Sequence, residues 1–468
     1  MAEHGKAKTI GELKASGYKP VSLREEMRRN LLAMIKERKN IFPGIVGFDD
    51  TVIPQIENAI ISGQDIIFLG ERGQAKSRIM RLLVNLLDEE IPVIRGCEIN
   101  DSPFAPICKQ CRDRIVKKRD ATEIGWLPRE ERYGEKLATP DITIADLIGD
   151  VDPIKVAEGR YLSDELTIYY GLIPRTNRGI FCINELPDLT ERLQVGLFNL
   201  MEERDVQIRG YRIRLPLDVF LVASANPEDY TSRGRIITPL KDRYGAQIRT
   251  HYPVAIEDEI AIMEMERRQF REDGFETYVP EYMKEIIAEV THLGRKSPDI
   301  NQRSGVSVRV SITNYETILS NAIRRAVTLG EKLAVPRISD FPYIHSSSSG
   351  KIELESFEET KEDKVIDDLV KKAVLNVFNR YYKVHELEEI IEQFSGGFSV
   401  EVSDTMSAKS YLRSVKEMVG LTDALLKVVG DAESPEAVAA AVEFILEGLH
   451  VNKRLNKTRV ESKTVYRL

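Results

Sequence analysis

The sequence predicts an α/β domain with a mostly parallel sheet covered on both faces, followed by a helical region. Two observations carry this. From Val52 to about Leu240, short apolar runs alternate with helix-length amphipathic stretches, whereas from about Ala255 onward the periodicity is mainly helical.

Taken in order, Val52, Ile53, Ile56, Ala59 and Ile60 fall at helical spacing, "DIIFLG" is a short buried-strand run, and "SRIMRLLVNLLDEE" is helical again. "GIFCINE" reads as a strand, "ERLQVGLFNLMEE" as a helix, "VQIRGYRIRLP" as a Gly-centred hairpin and "DVFLVASAN" as another buried strand. "EDEIAIMEMERRQFRED", "PEYMKEIIAEVTHLG" and "SITNYETILSNAIRRAVTLG" are amphipathic helices. His345 to Asp363 is polar with a serine run, as in a linker or exposed insertion. Lys364 to Leu468 reads as helical, with Ser434, Pro435 and Glu436 a helix start and Gly448 a stop. There is no internal repeat.

Composition narrows the function. With 42% hydrophobic and 30% charged residues the chain is ordinary globular protein, and a net charge of -8 argues against a generally basic nucleic-acid-binding surface. No apolar run approaches the roughly 20 residues of a membrane span, and "MAEHGKAKTIGELK" lacks a signal-peptide core, so the expected location is cytoplasmic. Four cysteines are too few for a disulfide scaffold, which fits a reducing compartment.

The chemistry concentrates in Gly70, Glu71, Arg72, Gly73, Gln74, Ala75, Lys76 and Ser77, which match the phosphate-loop pattern GxxxxGK[ST] at every fixed place but Ala75. Such a loop aims backbone N–H groups at phosphates, adds a Lys for the outer charges and a hydroxyl for magnesium. Ala75 is small enough to keep the close approach, provided it need not take positive φ. "RGIFCINE" ends a hydrophobic strand on Asn184 and Glu185, the place for a magnesium-facing group and a water-activating carboxylate. Glu185 is the natural general base. Asn184 reaches magnesium only through a bound water and brings no charge, so weaker metal affinity or slower turnover is expected than with Asp. Asn226 ends the next strand, where an amide can orient water. Arg243 and Arg309 are isolated cations.

In their order these pieces resemble the AAA+ ATPases of the magnesium-chelatase I-subunit and MoxR group, from roughly Gly44 to Val327. "GIVGFDD", with Val46 and Gly47, resembles the segment that packs on adenine; "GLIPRTNRGIFCINELPDL" the stretch through Walker B; "ANPEDY" sensor one; "LKDRYG" the arginine-finger segment; "GVSVR" sensor two. MoxR-like loops commonly carry Ala before the Lys, whereas Asn184 departs from the group's Asp. The resemblance implies a P-loop AAA+ three-layer core at 44–254, a helical lid at 255–335, a linker at 336–363, a helical C-terminal extension at 364–468 and an N-terminal helical segment at 1–43. It implies ATP and Mg2+, with Lys76 and Ser77 on phosphates and metal, Asn226 positioning water, Arg309 sensing the γ-phosphate, and Arg243 acting on a neighbour's nucleotide in a homo-hexameric ring; Arg233 and Arg235 compete for that last role. The partner implied is a protein bearing a von Willebrand A-type domain. Hairpin insertions are expected within residues 133–171 and in "VQIRGYRIRLP". The alternatives are a magnesium chelatase subunit, a nucleotide-binding scaffold that hydrolyses little, or an enhancer-binding transcriptional activator, against which stands the missing GAFTGA loop.

Cys108 and Cys111 form a CxxC downstream of Cys97. Zinc needs four ligands, so a site here requires a further donor such as Asp101 or the distant Cys182, itself expected in the core. The adjoining "CRDRIVKKRD" and the later "NKRLNKTR" are basic without interleaved aromatics and read as solvated faces, not nucleic-acid contacts.

Overall fold

The computed structural model describes residues 6–158, 165–202, 205–207, 214–226, 235–269, 276–302, 304–355, 359–416, 418–429, 434–460 and 463–468. They form two compact units, Met1–His251 and Tyr252–Leu468.

The first unit is organised by a five-stranded parallel sheet. Strands are numbered along the chain: β1 Ile66–Leu69, β2 Glu90–Ile94, β3 Ile124–Pro128, β4 Tyr133–Leu137, β5 Gly149–Val151, β6 Ile168–Tyr170, β7 Gly179–Asn184, β8 Asp205–Gln207, β9 Arg214–Pro216, β10 Val219–Ala225 and β11 Ala246–Arg249. The sheet order is β11-β1-β10-β7-β4. β7 and β10 are buried at every residue, which is why they read as unbroken apolar runs. Their pleat sends Ile180, Cys182, Phe220 and Val222 into one core with Met27, Ile56 and Met80. Phe181, Ile183, Leu221 and Ala223 enter the opposite core with Leu193 and Leu197. The sheet is therefore the middle of three layers, the α/β arrangement that the sequence predicts.

Residues 133–137, grouped by sequence with an insertion, instead form the edge strand β4 of the main sheet. Their polar pattern, YGEKL, is that of a half-buried edge. The antiparallel hairpin within that stretch is β5–β6. β8 pairs antiparallel with β9; the turn of that hairpin, 208–213, lies outside the described residues. Arg132 is buried between β3 and β4, where its Nη1 and Nη2 meet both Glu26 carboxylate oxygens at 2.6 and 2.7 Å. This clamp ties the helix Leu23–Lys36, started by a Ser22–Glu25 capping box, to the sheet edge.

The second unit packs its helices around one hydrophobic core that runs from Ile260 to Tyr466. Residues the sequence divides among lid, linker and C-terminal region share it. Ile338–Ile344 is a 3-10 helix and His345–Ser348 a short α-helix, and the buried Ser347 and Ser348 both donate to Asn314 Oδ1, at 2.6 and 3.0 Å. The last helix, Pro435–Val451, starts at the Ser434 cap but runs through Gly448. Gly448 is a close-approach site, not a stop: a Cβ there would lie 1.9 Å from the Phe378 ring. The C-terminal region also contains a three-stranded antiparallel sheet of Val400–Val402, Lys463–Arg467 and Asn456–Val460. The basic stretch "NKRLNKTR" thus leads into an edge strand and is not a helix face.

Candidate functional site

The parallel register brings the carboxyl ends of β1, β10 and β7 side by side, with Leu69 opposite Ala225 and Ala223 opposite Ile183. Ligands of open α/β sheets bind at this edge. The loop leaving β1 begins at Gly70, whose N–H continues the ladder to Ala225 O at 3.1 Å. A Cβ at Gly70 would lie 2.0 Å from Thr250 Oγ1 and 2.2 Å from Gln74 Oε1, so only glycine fits. The buried Gln74 folds back, its Oε1 accepting from the Glu71 N–H at 3.1 Å and from Thr250 Oγ1 at 2.7 Å, and so sets the loop's shape. Arg72 is exposed on the loop and Gly73 has φ 78°.

Ala75 has φ 55° and ψ 11°, the left-handed conformation. The condition under which alanine would be harmless is not met, and a Cβ there costs about 1–2 kcal/mol. The helix Lys76–Leu82 follows immediately.

Lys76 is 7% exposed. Its Nζ donates to Gly70 O at 2.5 Å, Glu71 O at 2.7 Å and Asn226 Oδ1 at 2.7 Å. Asn226 in turn donates from Nδ2 to Glu185 Oε2 at 2.6 Å. A single amide therefore links the lysine of the loop to the carboxylate after β7. Glu185 has φ 55°, a turn that lifts its side chain off the strand end, and its N–H donates to Ser224 Oγ at 3.3 Å.

The second arm of the site starts at Ser77, whose hydroxyl donates to Asn184 Oδ1 at 3.3 Å; Ser224 Oγ donates to the same oxygen at 3.2 Å. Asn184 Nδ2 donates to Glu135 Oε1 at 2.5 Å. Glu135, on β4, also accepts from Arg81 Nε and Nη2 at 2.9 and 3.0 Å and from the Tyr133 hydroxyl at 3.2 Å. Burial opposes its ionisation, but the Arg81 guanidinium outweighs it and holds the carboxyl below the usual range. The sequence reading of Asn184 counted no negative charge here; Glu135 supplies one a single hydrogen bond away. Its signal was a lone acid in a polar strand, legible only once β4 is known to pair with β7. Hydroxyl, amide oxygen and carboxylate form an all-oxygen donor set that suits a hard cation such as magnesium, and the Gly70 cradle with the Lys76 ammonium suits phosphate.

The segment with Val46 and Gly47, the latter at φ 77°, is fixed by Phe48 lying edge-on to the His251 ring at 4.9 Å and by Thr51 Oγ1 at 2.8 Å from His251 Nε2. Arg243 lies against the helix Glu191–Glu202, bonded to Glu202 Oε2 at 3.0 Å and stacked on Phe198 at 4.8 Å. Arg235 stands 3.9 Å from Glu191, and Arg233 lies outside the described residues. Arg309 belongs to the second unit, in the first turn of the helix Val308–Leu329, whose N-cap Ser307 accepts from the Arg309 N–H. Cys97, Asp101, Cys108 and Cys111 are brought together. Cys182 is not among them; it sits in the opposite core, where burial pushes its thiol up to about 12. Among the described residues no helix is long and apolar enough to cross a membrane.

Fold and loop are of the kind found in P-loop AAA+ proteins, and the chain is similar to magnesium-chelatase I subunits. Over 257 residues it is 30% identical to "Magnesium-chelatase subunit ChlI-2, chloroplastic" of Arabidopsis thaliana, a match covering 52% of this chain and 56% of that one. Over 309 residues it is 26% identical to the ChlI subunit of Synechocystis sp., covering 61% and 78%. The chain thus spans little more than half the length of the Arabidopsis relative. A solved structure of the BchI–BchD complex of magnesium chelatase aligns at 20% identity and a TM-score of 0.36, over 69% of this chain and 98% of that one. No protein-family model matches.

Proposed function

We propose that this chain is an ATP-binding and ATP-hydrolysing AAA+ motor of the MoxR/magnesium-chelatase type that remodels or activates a protein partner. The observation that carries this reading is the chain of contacts Lys76–Asn226–Glu185 at the mouth of the Gly70–Ser77 loop. In this arrangement the Lys76 ammonium donates to two carbonyls and an amide oxygen, and a phosphate offers it a charge-assisted bond. When Lys76 turns to phosphate, Asn226 Oδ1 is released to orient water while its Nδ2 stays on Glu185, the general base. Ser77, Asn184 and Glu135 would hold magnesium, which when bound neutralises phosphate charge. Turnover is slower than with an Asp at position 184 to the extent that Glu135 fails to replace it.

The finer features belong to the same proposal: ATPase core 44–254 and lid 255–335, a homo-hexameric ring with Arg243 reaching a neighbour's nucleotide, Arg309 sensing the γ-phosphate, Val46 and Gly47 against adenine, a cytoplasmic location, a partner with a von Willebrand A-type domain, and zinc as a separate structural cofactor. A chelatase subunit is the second reading, favoured by the names of the curated relatives. Calorimetry with MgATP and a steady-state ATPase assay test the reading. The parent protein binds and hydrolyses ATP; Glu185→Gln binds without hydrolysing, and captures the partner in the ATP state. Folded parent protein that takes up no adenine nucleotide in the presence of magnesium would sink it.

A further inference from the structure

We infer that Cys97, Asp101, Cys108 and Cys111 close around a single zinc ion that braces the sheet from the segment between β2 and β3. One ligand atom from each lies within 4.8 Å of all the others. Zinc holds thiolates at about 2.3 Å in a tetrahedron, which puts neighbouring sulfurs roughly 3.8 Å apart, so the group needs to contract by only about 1 Å. A four-iron cluster, whose ligands bind separate metal atoms, needs a wider spacing. Three soft sulfurs select zinc over magnesium or calcium.

The surroundings point to a metal and not to a chance cluster. Asp101 is fully buried; Oδ2 accepts from the Cys108 N–H at 3.0 Å, while Oδ1 has no hydrogen-bond partner among the described residues. A buried carboxylate oxygen left in that state costs about 1–3 kcal/mol or more, which a metal bond removes. Two sulfurs already accept backbone N–H groups, Cys97 Sγ from Asp101 at 3.4 Å and Cys108 Sγ from Cys111 at 3.3 Å. Such bonds stabilise thiolates. Cys108 is also the N-cap of the ten-residue helix Lys109–Lys118, whose dipole favours negative charge there. All four cysteines are free thiols, and a disulfide between any two of the three would strand the third thiol beside Asp101.

The same loop contacts the turn that feeds β7. Asn100 Nδ2 donates to Arg175 O at 2.8 Å, and Asn177 Nδ2 donates to Ile99 O at 3.0 Å. With all four positions filled by protein the site is closed, as structural zinc sites are. The ion thus fixes the residues that lead into the strand that ends at Asn184, just before Glu185.

The test is metal analysis of the full chain, purified without a metal-affinity tag. We expect about one zinc per chain, released when the thiols are titrated with a mercurial. Cobalt exchanged into the site gives thiolate charge-transfer and tetrahedral absorption bands. Cys108→Ser and Asp101→Ala lower occupancy at least tenfold, and Cys182→Ser keeps it. Because a ligand variant could misfold, mercurial release from the parent protein is the independent measure. Reduced parent protein that carries no zinc and takes up no cobalt overturns the assignment, as does iron in its place or full zinc occupancy in Cys108→Ser. None of these readouts involves ATP, so failure here leaves the nucleotide reading standing, and the converse holds.

Discussion

Asn184→Asp is the change that would restore the acid expected at the end of the β7 strand, and the structure predicts that in the absence of magnesium it harms the protein. The substitution replaces Nδ2, now donating to Glu135 Oε1 at 2.5 Å, with a second carboxylate oxygen. Two carboxylates in contact have charge centres about 4 Å apart and repel by about 4 kcal/mol at an effective dielectric of 20. The Glu135 side chain is 21% exposed and paired with Arg81, so roughly half of that survives, about 2 kcal/mol. Urea unfolding followed by fluorescence isolates the effect, because the single tryptophan, Trp126, lies in β3 of the same unit. At pH 8 without metal or nucleotide, Asn184→Asp lowers stability by about 2 kcal/mol, and adding Glu135→Gln recovers at least half of the loss. The penalty shrinks as pH falls toward 5, since protonating one carboxyl ends the repulsion, and magnesium alone stabilises the Asp variant more than the parent. Equal stability of Asn184→Asp and parent at pH 8, or strict additivity in the double variant, would refute the placement of Glu135.

Two other outcomes follow from the same structure. Ala75→Gly relieves a left-handed alanine and raises stability by about 1 kcal/mol by the Trp126 assay; no gain means the residue is unstrained. In the second unit Glu259 is fully buried and accepts from Arg295 Nη1 and Nη2 at 2.8 and 3.0 Å and from Ser311 Oγ at 2.6 Å. Burial opposes ionisation, but His292, Arg295 and Ser311 outweigh it and lower the carboxyl from its usual 4.5. The stability it contributes is present in full above that value and drains away as pH falls below it, through the lower value the carboxyl has in the folded protein. Glu259→Gln strands Arg295, costs about 3–5 kcal/mol at pH 7 and flattens the acid limb of the calorimetric melting curve below about pH 5; an unchanged acid limb contradicts the assignment.

The parts of this molecule legible in the sequence are those where one force dominates. β1, β7 and β10 are buried on both faces, so their residues had to be apolar and the turns at their ends stand out. The Ser434 cap is a local bond and could be seen locally. β4 was hidden because an edge strand tolerates Glu135 and Lys136, and the C-terminal sheet because its alternation is diluted by lysines and arginines. Whether Ala75 needs positive φ, and that Gly448 serves a ring from another helix, are matters of backbone path and packing that neighbouring residues do not encode. Three of the four donors proposed for zinc could be listed from spacing, but choosing Asp101 over Cys182 required knowing which core each side chain enters.

The shared core of the second unit sets how it can behave mechanically. Val310, next to Arg309, and Tyr466, two residues before Leu468, are embedded in the same close-packed interior. A push delivered at one is carried through incompressible packing to the other, and the small sheet ending at Arg467 rides on the helices as a rigid handle rather than trailing as a tail.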